Sequence, residues 1–430
     1  MHWTGRQGLT SALLLAVLVG GGRDWKVARS VGTADPSPVL PVGVQPSAAA
    51  PLVPYTIRVS DAVVADLKVR LARTRFPDEI PGSGWEFGTD LAYMKELVAY
   101  WRDTFNWREQ EGRLDRFDQF KTKVDGLDIH FIRQRAKSAN ALPVIFVHGY
   151  PDSFVTFSKV IDALSDPVSH GGRAEDAVDV IVPSLPGYGF SERPREPGWG
   201  TARVAAALST LMARLGYTRY AVQGAGLGCV IGTQMALHDR AHIVAEHFND
   251  CSVGPPAGVN DPDGGVTQAE RERMTAREGE LANEQAYIVM NSAKPQTVAY
   301  ELIDSPVGLA AWIVDKYRAW CDCGGNPEKK FTKDELLTNI TIYWVTETAG
   351  SAGRIYRESR QDPRTLDGRI DIPTGYTVFP KNTVLPPRRW LEARYNIARW
   401  TTMPRGGHFA ALEEPELFVD DLRAFFRDRR

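Results

Sequence analysis

An α/β fold built on a mostly parallel, doubly wound sheet is predicted by three features of this chain. Three short runs, Pro143 to Val147, Val178 to Val182 and Tyr220 to Val222, are almost wholly apolar, with Asp179 the one interruption. Each is followed by a turn containing glycine, and helical patterns lie between them. Strands buried on both faces read as continuous apolar runs, whereas a strand with one wet face alternates. Sites in such sheets lie at the carboxyl ends of the strands. Gly149, Gly226 and His408 each fall just after an expected strand and should converge there.

The other elements follow in order. Residues 54–116 read as helices: Ser60 is placed to cap a helix in which Val63, Leu67 and Leu71 recur at helical spacing. A second helix spans about 89–105, with Leu91, Met94, Leu97, Val98 and Trp101 on one face. Strands at 120–124 and 127–132 flank Asp125-Gly126, a pair that takes the positive φ of a two-residue hairpin turn. A fourth core strand is expected at 243–248, and a helical insertion from about 267 to 358. Strands at 374–379 and 397–402 precede Gly406-Gly407-His408, and a helix over 415–427 closes the chain.

Composition narrows the function. Formal net charge is −2, and no basic patch or charge run points to nucleic acid or to an anionic membrane surface. The aromatic content suffices for a large core and an apolar pocket. Oligomeric state is not legible. Arg6 and the apolar run Leu9 to Val19 resemble a secretory leader or, second, an N-terminal anchor, because spanning a bilayer takes about 20 apolar residues. A secreted protein, or one held in or anchored to the endomembrane lumen, is the matching expectation. Membrane association is expected only through that segment. The four cysteines, Cys229, Cys251, Cys321 and Cys323, show no zinc spacing and no disulfide framework: Cys321 and Cys323 are too close in sequence for an easy bridge, and Cys229 and Cys251, each after an expected core strand, read as buried free thiols. No metal or cofactor is expected. The sequon Asn339-Ile340-Thr341 adjoins an apolar run, which argues against glycosylation.

The stretch from Tyr220 to Cys229 carries the most chemistry. It reads as a strand, a small-residue turn and a helix start, the frame of a nucleophile elbow with Gly224 and Gly228 at the small positions. The central residue of such a turn presents its side chain to the cleft. Here that residue is Gly226, which has none.

Taken together, the motifs identify a resemblance to the microsomal (juvenile-hormone type) epoxide hydrolases of the α/β-hydrolase superfamily, from about Tyr55 to the C-terminus. It rests on Thr74-Arg75-Phe76-Pro77-Asp78, Phe105-Asn106-Trp107-Arg108, Gly126 to Phe131 and His148-Gly149-Tyr150-Pro151. It continues through Leu185 to Ser191, Asp304 to Trp312, and Gly406-Gly407-His408-Phe409-Ala410. The resemblance implies an α/β-hydrolase core with a helical lid and an N-terminal helical segment that wraps the core, and a hydrophobic small molecule as its partner. The implied division is 1–28 leader or anchor, 29–53 linker, 54–140 N-terminal segment, 141–266 and 361–430 core, and 267–360 lid.

It also implies a two-step chemistry. An Asp opens the epoxide to an ester, a His-activated water hydrolyses it, an acid orients the His, and two lid tyrosines donate to the epoxide oxygen. On that pattern His408 matches the base, and Tyr356 and Tyr287 match the lid donors. The backbone N–H groups of Tyr150 and Leu227 match the oxyanion donors. Gly226 stands where the nucleophilic Asp is expected, and Asn382 where the acid, usually Glu, is expected. Asp250, after the fourth core strand, is a second candidate to orient His408. With Asn382 in the acid's place, the resemblance implies that a carboxylate restored at position 226 would stall at the ester.

Overall fold

The structure is a computed structural model that describes residues 50–429 apart from 257–258 and 363–367. The expected leader at 1–28 and most of the 29–53 linker lie outside these residues.

Nine strands form one sheet: β1 (Val53–Pro54), β2 (Gln119–Val124), β3 (Leu127–Gln134), β4 (Leu142–Val147), β5 (Val178–Pro183), β6 (Tyr220–Ala225), β7 (Ile243–Asn249), β8 (Ile370–Val378) and β9 (Tyr395–Thr402). Their spatial order is β1-β2-β3-β5-β4-β6-β7-β8-β9. Pairing is antiparallel from β1 through β5 and parallel from β5 through β9. β4, β5 and β6 are buried along nearly their whole length, the physical counterpart of their unbroken apolar runs. The chain steps outward from β4 to β5 on one side and returns to β6 on the other. The topological switch point therefore lies between the carboxyl ends of β4 and β6, where a ligand crevice opens in sheets of this kind.

Fifteen α-helices complete the described residues. The N-terminal set is α1 (Asp61–Ala72), α2 (Leu91–Asp103) and α3 (Trp107–Leu114); the core set begins with α4 (Ile161–Ser165), α5 (Thr201–Arg214) and α6 (Leu227–His238). The insertion supplies α7 (Gln268–Glu280), α8 (Ala286–Ala293), α9 (Pro295–Asp304), α10 (Pro306–Trp320), α11 (Lys333–Val345) and α12 (Ala349–Gln361). The chain ends with α13 (Arg388–Arg394), α14 (Ala410–Glu413) and α15 (Pro415–Phe426). The Ser60 side chain accepts from the Val63 N–H and caps α1. The buried face of α2 is Met94, Leu97, Val98 and Trp101. Trp101 Nε1 donates to Thr341 Oγ1 of α11 at 3.0 Å, so the N-terminal helices brace the insertion while β1–β3 extend the sheet. The sequon lies inside α11: Asn339 is buried and donates to the Pro151 carbonyl at 2.9 Å.

The cysteine expectation is overturned. Cys229 pairs with Cys251, and Cys321 with Cys323, leaving no free cysteine. The Cα separations, 5.6 and 5.3 Å, lie within the normal bridging range. The first pair is brought together because α6 leaves β6 beside the end of β7. The second closes across a turn that follows α10.

One buried acid gives the fold a pH signature. Glu246 in β7 is fully buried, and burial pushes its carboxyl up to about 8, against weaker downward pulls from Thr374 and Arg394. The unfolded chain ionises this group near 4.5, so the native state holds an extra proton between the two values and loses stability as pH rises through that window. Glu246→Gln should remove this slope. Thermal midpoints of variant and wild type should diverge in the variant's favour from about pH 5 to about pH 8; parallel curves would show that Glu246 ionises normally in the native state.

Candidate active site

The elbow is built by backbone crowding. A Cβ on Gly224 would stand 2.5 Å from the Gly228 carbonyl oxygen, and one on Gly228 would stand 2.0 Å from the Val147 oxygen. Only residues without a side chain let β6, α6 and the end of β4 approach this closely. Gly226 sits between them with φ 52° and ψ −118°. A Cβ there would meet His408 Cε1 at 2.8 Å and Nε2 at 3.6 Å. The imidazole thus occupies the space that a side chain at 226 would enter.

His408 is held from three directions. Its backbone N–H donates to the Trp320 carbonyl at 3.0 Å, and the Gly406 N–H donates to Asp322 at 2.9 Å, which ties the loop to the end of α10. Gly407 is required there, since its Cβ would lie 2.4 Å from the Trp320 oxygen. The ring meets Trp320 edge-on at 5.2 Å. Its Nδ1 is hydrogen-bonded to a carboxylate oxygen of Asp250. Nε2 is the ring nitrogen left over for the cleft.

Asp250 directly follows β7 and is itself fixed. Its oxygens accept from the Thr383 N–H at 3.0 Å, the Val384 N–H at 2.9 Å and the Thr383 hydroxyl at 2.9 Å. Its carbonyl accepts from the Gly226 N–H at 2.9 Å. Burial would push its carboxyl up, but the His408 charge and these donors together hold it below the usual carboxylate range. For His408 the balance runs the other way: burial would pull the imidazole down, and the charge and hydrogen bond of Asp250 outweigh it, so the net shift is upward.

Asn382 does not share this role. It is fully buried, yet neither side-chain amide atom has a hydrogen-bond partner among the described residues. Of the two candidates to orient His408, the structure brings Asp250 to the ring and leaves Asn382 off it. Asn382 contributes through its backbone, whose carbonyl accepts from Arg277 Nε at 2.8 Å.

Of the oxyanion candidates, Leu227 lies at the switch point beside Gly149, which precedes Tyr150. Gly149 packs so closely on the turn that its Cβ would be 3.7 Å from the Leu227 nitrogen. Leu227 opens α6, where the first N–H groups have no intrahelical acceptor. Tyr150, Tyr287 and Tyr356 form a triangle of rings with centroid separations of 6.0, 5.6 and 5.8 Å. Tyr287 also lies 5.4 Å from Trp320, which links the tyrosines of the helical insertion to His408 through one aromatic ring. Tyr150 Oη accepts from Trp312 Nε1 at 2.6 Å.

Two carboxyl groups near His408 escaped the sequence reading. Asp152 is buried, accepts from Tyr317 Oη at 3.1 Å, and is pushed up to about 6 by burial against the pull of His408. Glu413 accepts from the Asp322 and Phe409 N–H groups at 2.8 and 2.9 Å and is pushed up to about 7 by burial. Asp152 in His148-Gly149-Tyr150-Pro151-Asp152 was the only visible signal of the first. Its partner comes from α10, 165 residues away. Among the described residues no group of three or more His, Cys, Asp or Glu is arranged to hold a metal ion.

Known proteins place this architecture. Residues 52–157 match the family described as "Epoxide hydrolase N terminus", and residues 143–273 match "alpha/beta hydrolase fold". The chain is 35% identical to Epoxide hydrolase 1 of Sus scrofa, over 86% of this chain and 88% of that protein. The crystal structure of juvenile hormone epoxide hydrolase from the silkworm Bombyx mori superposes with a TM-score of 0.82 at 30% identity, covering 89% of this chain and 95% of that one. The structure of Aspergillus niger epoxide hydrolase gives 0.79 at 30% identity, over 89% and 97%. This chain belongs to the microsomal, juvenile-hormone type epoxide hydrolase family of the α/β-hydrolase superfamily, with glycine at position 226.

Proposed function

We propose that this protein acts on a hydrophobic epoxide or a related oxygenated small molecule without forming a covalent ester, by acid–base chemistry alone. The observation that carries the reading is the Asp250–His408 pair set against a residue 226 that has no side chain. An ester cannot form at Gly226, since no carboxylate is there to attack. A base oriented by a buried carboxylate, however, needs no nucleophile of its own.

In this reading His408 Nε2 takes a proton from water as the water oxygen bonds to an epoxide carbon. The carbon–oxygen bond on that carbon breaks, and its electrons pass to the ring oxygen. Tyr356 or Tyr287 gives that oxygen a proton, and the proton held by His408 restores the tyrosine, so the product is a diol. Burial raises the Tyr356 phenol well above its ordinary value, which keeps the proton in place until an alkoxide develops. The backbone N–H groups of Tyr150 and Leu227 are the donors this reading assigns to the same developing charge. A proton-transfer cyclisation or isomerisation would use the same groups with an internal hydroxyl in place of water.

The alternative is a carrier on the same scaffold, favoured by the absent side chain at 226. His408→Ala separates the two. The enzyme reading expects turnover of an aryl or terpenoid epoxide to fall about 10²–10⁴-fold, while ligand affinity changes little. Product assay beside ligand titration reads both. Unchanged turnover refutes the acid–base role, and unchanged affinity with no turnover in either protein leaves the carrier.

A further inference from the structure

The Cys229–Cys251 bridge lies directly beneath the site. Cys251 follows Asp250, and Cys229 is the third residue beyond Gly226. The bridge and the Gly226 N–H···O=C Asp250 hydrogen bond therefore each join the elbow to the segment that directly follows β7. Asp250 itself has φ 60°, in the left-handed region that non-glycine residues seldom occupy. Such a conformation persists only where its surroundings over-determine it. The Thr383 and Val384 donors fix the carboxylate against the loop after β8, but they do not tie Asp250 to the elbow. The Cys251 N–H adds a 3.2 Å hydrogen bond to Tyr376 Oη, and Cys229 and Cys251 are both buried.

We propose that Cys229 and Cys251 are positioning residues, whose bridge sets the distance and angle between Asp250 and His408 over the elbow. The inference rests on His408 being the base of the site, and its main readout does not need turnover. The groups that face His408 are Asp250, Asp152 and Glu413. Only Asp250 is bonded to its ring and follows the bridge. If the bridge is cut, Asp250 can relax out of the left-handed region, its hold on Nδ1 loosens, and burial regains its downward effect on the imidazole.

The test is the imidazole titration of His408, followed by NMR in the Cys229→Ala/Cys251→Ala variant and assigned with His408→Ala. The expected result is a midpoint lower than wild type, with a parallel shift in the acid limb of any pH–rate profile. The Cys229→Val/Cys251→Ala variant refills part of the lost volume and should show the same shift. A bridge that serves stability alone would lower the thermal midpoint and leave the His408 titration in place, which overturns the proposal. Should neither variant fold, wild-type protein reduced by a dithiol reads the same quantity. The dithiol gives two electrons and two protons to the bridge and closes to its own disulfide, and mass counting after alkylation confirms two new thiols at these positions. If no unbridged form is folded, the bridge belongs to the fold and the proposal also fails. Absence of turnover in wild type would count against the proposed function while leaving the titration result to decide the role of the bridge.

Discussion

Gly226→Asp should gain a covalent reaction that the wild type lacks. Quenched with an aryl epoxide, the variant should carry one ester adduct on the peptide that contains residue 226, and the wild type should carry none there. The elbow already has the backbone that presents a side chain to the cleft, with φ 52° at Gly226. An aspartate placed there is strained by about 1–3 kcal/mol, the usual cost of holding a non-glycine residue in a sparsely populated region. Its Cβ also needs space now filled by His408 Cε1, 2.8 Å away. The histidine must withdraw by several tenths of an ångström, pivoting about its bond to Asp250. Lower thermal stability should thus accompany the new reactivity.

The fate of the ester follows from the same geometry. With Asn382 as the only support for His408, the ester would accumulate. Asp250 already supports the ring through Nδ1, so the single variant should hydrolyse its ester and turn over, and adding Asn382→Glu should bring little further gain. Intact-protein mass spectrometry over time distinguishes the outcomes. A transient adduct agrees with this account. A permanent one would mean that Asp250 does not sustain hydrolysis, and no adduct would mean that the lid no longer presents the epoxide to residue 226.

Much of the scaffold was legible because it is local. The apolar runs of β4, β5 and β6, the Asp125-Gly126 hairpin and the Ser60 cap each follow from a few neighbouring residues. The elbow was legible for the same reason, since its glycines answer to crowding between consecutive elements. What the sequence left open is long-range. The loops after β7 and after β8 both end beside His408, and spacing alone does not say which carries the orienting acid. Asp250 therefore stood second to the Asn382 position until the sheet order placed its carboxylate on the ring. The Cys229–Cys251 pair was misread because 22 residues separate its members, and the Cys321–Cys323 pair because two residues of separation read as too close to bridge. Nothing local shows that α6 begins where β7 ends. Asp152 went unremarked because its environment is made by Tyr317 of α10 and Tyr343 of α11, both remote in sequence.

Asp250→Asn should be the most damaging conservative change at the site. The amide is nearly isosteric, so the fold should survive, although its single oxygen can accept from only one of the Thr383 and Val384 N–H groups, which bond to different oxygens of the carboxylate. What changes is the histidine. A neutral amide gives the imidazole no charge to rest against and can turn its NH₂ toward Nδ1, which selects the wrong tautomer. In a serine protease the equivalent change costs about 10⁴ in kcat, and a loss of that order is expected in any native turnover here. Without the Asp250 charge, burial is left to pull the His408 midpoint below its ordinary 6.5. The stability consequence has a defined sign. The raised histidine contributes below its unfolded midpoint near 6.5 and loses that contribution as pH rises through its native value. The lowered aspartate contributes above its unfolded midpoint near 3.8 and loses that as pH falls. The pair is fully stabilising between about pH 4 and about pH 6.5. The variant should lose most stability against wild type inside that window and less on either side. Denaturant melts across pH, beside the NMR titration of His408, check both statements. A histidine midpoint unchanged by Asp250→Asn would mean that the imidazole takes its charge preference from Asp152 or Glu413 instead, and the Asp250–His408 pair would then cease to be the basis of the site's chemistry.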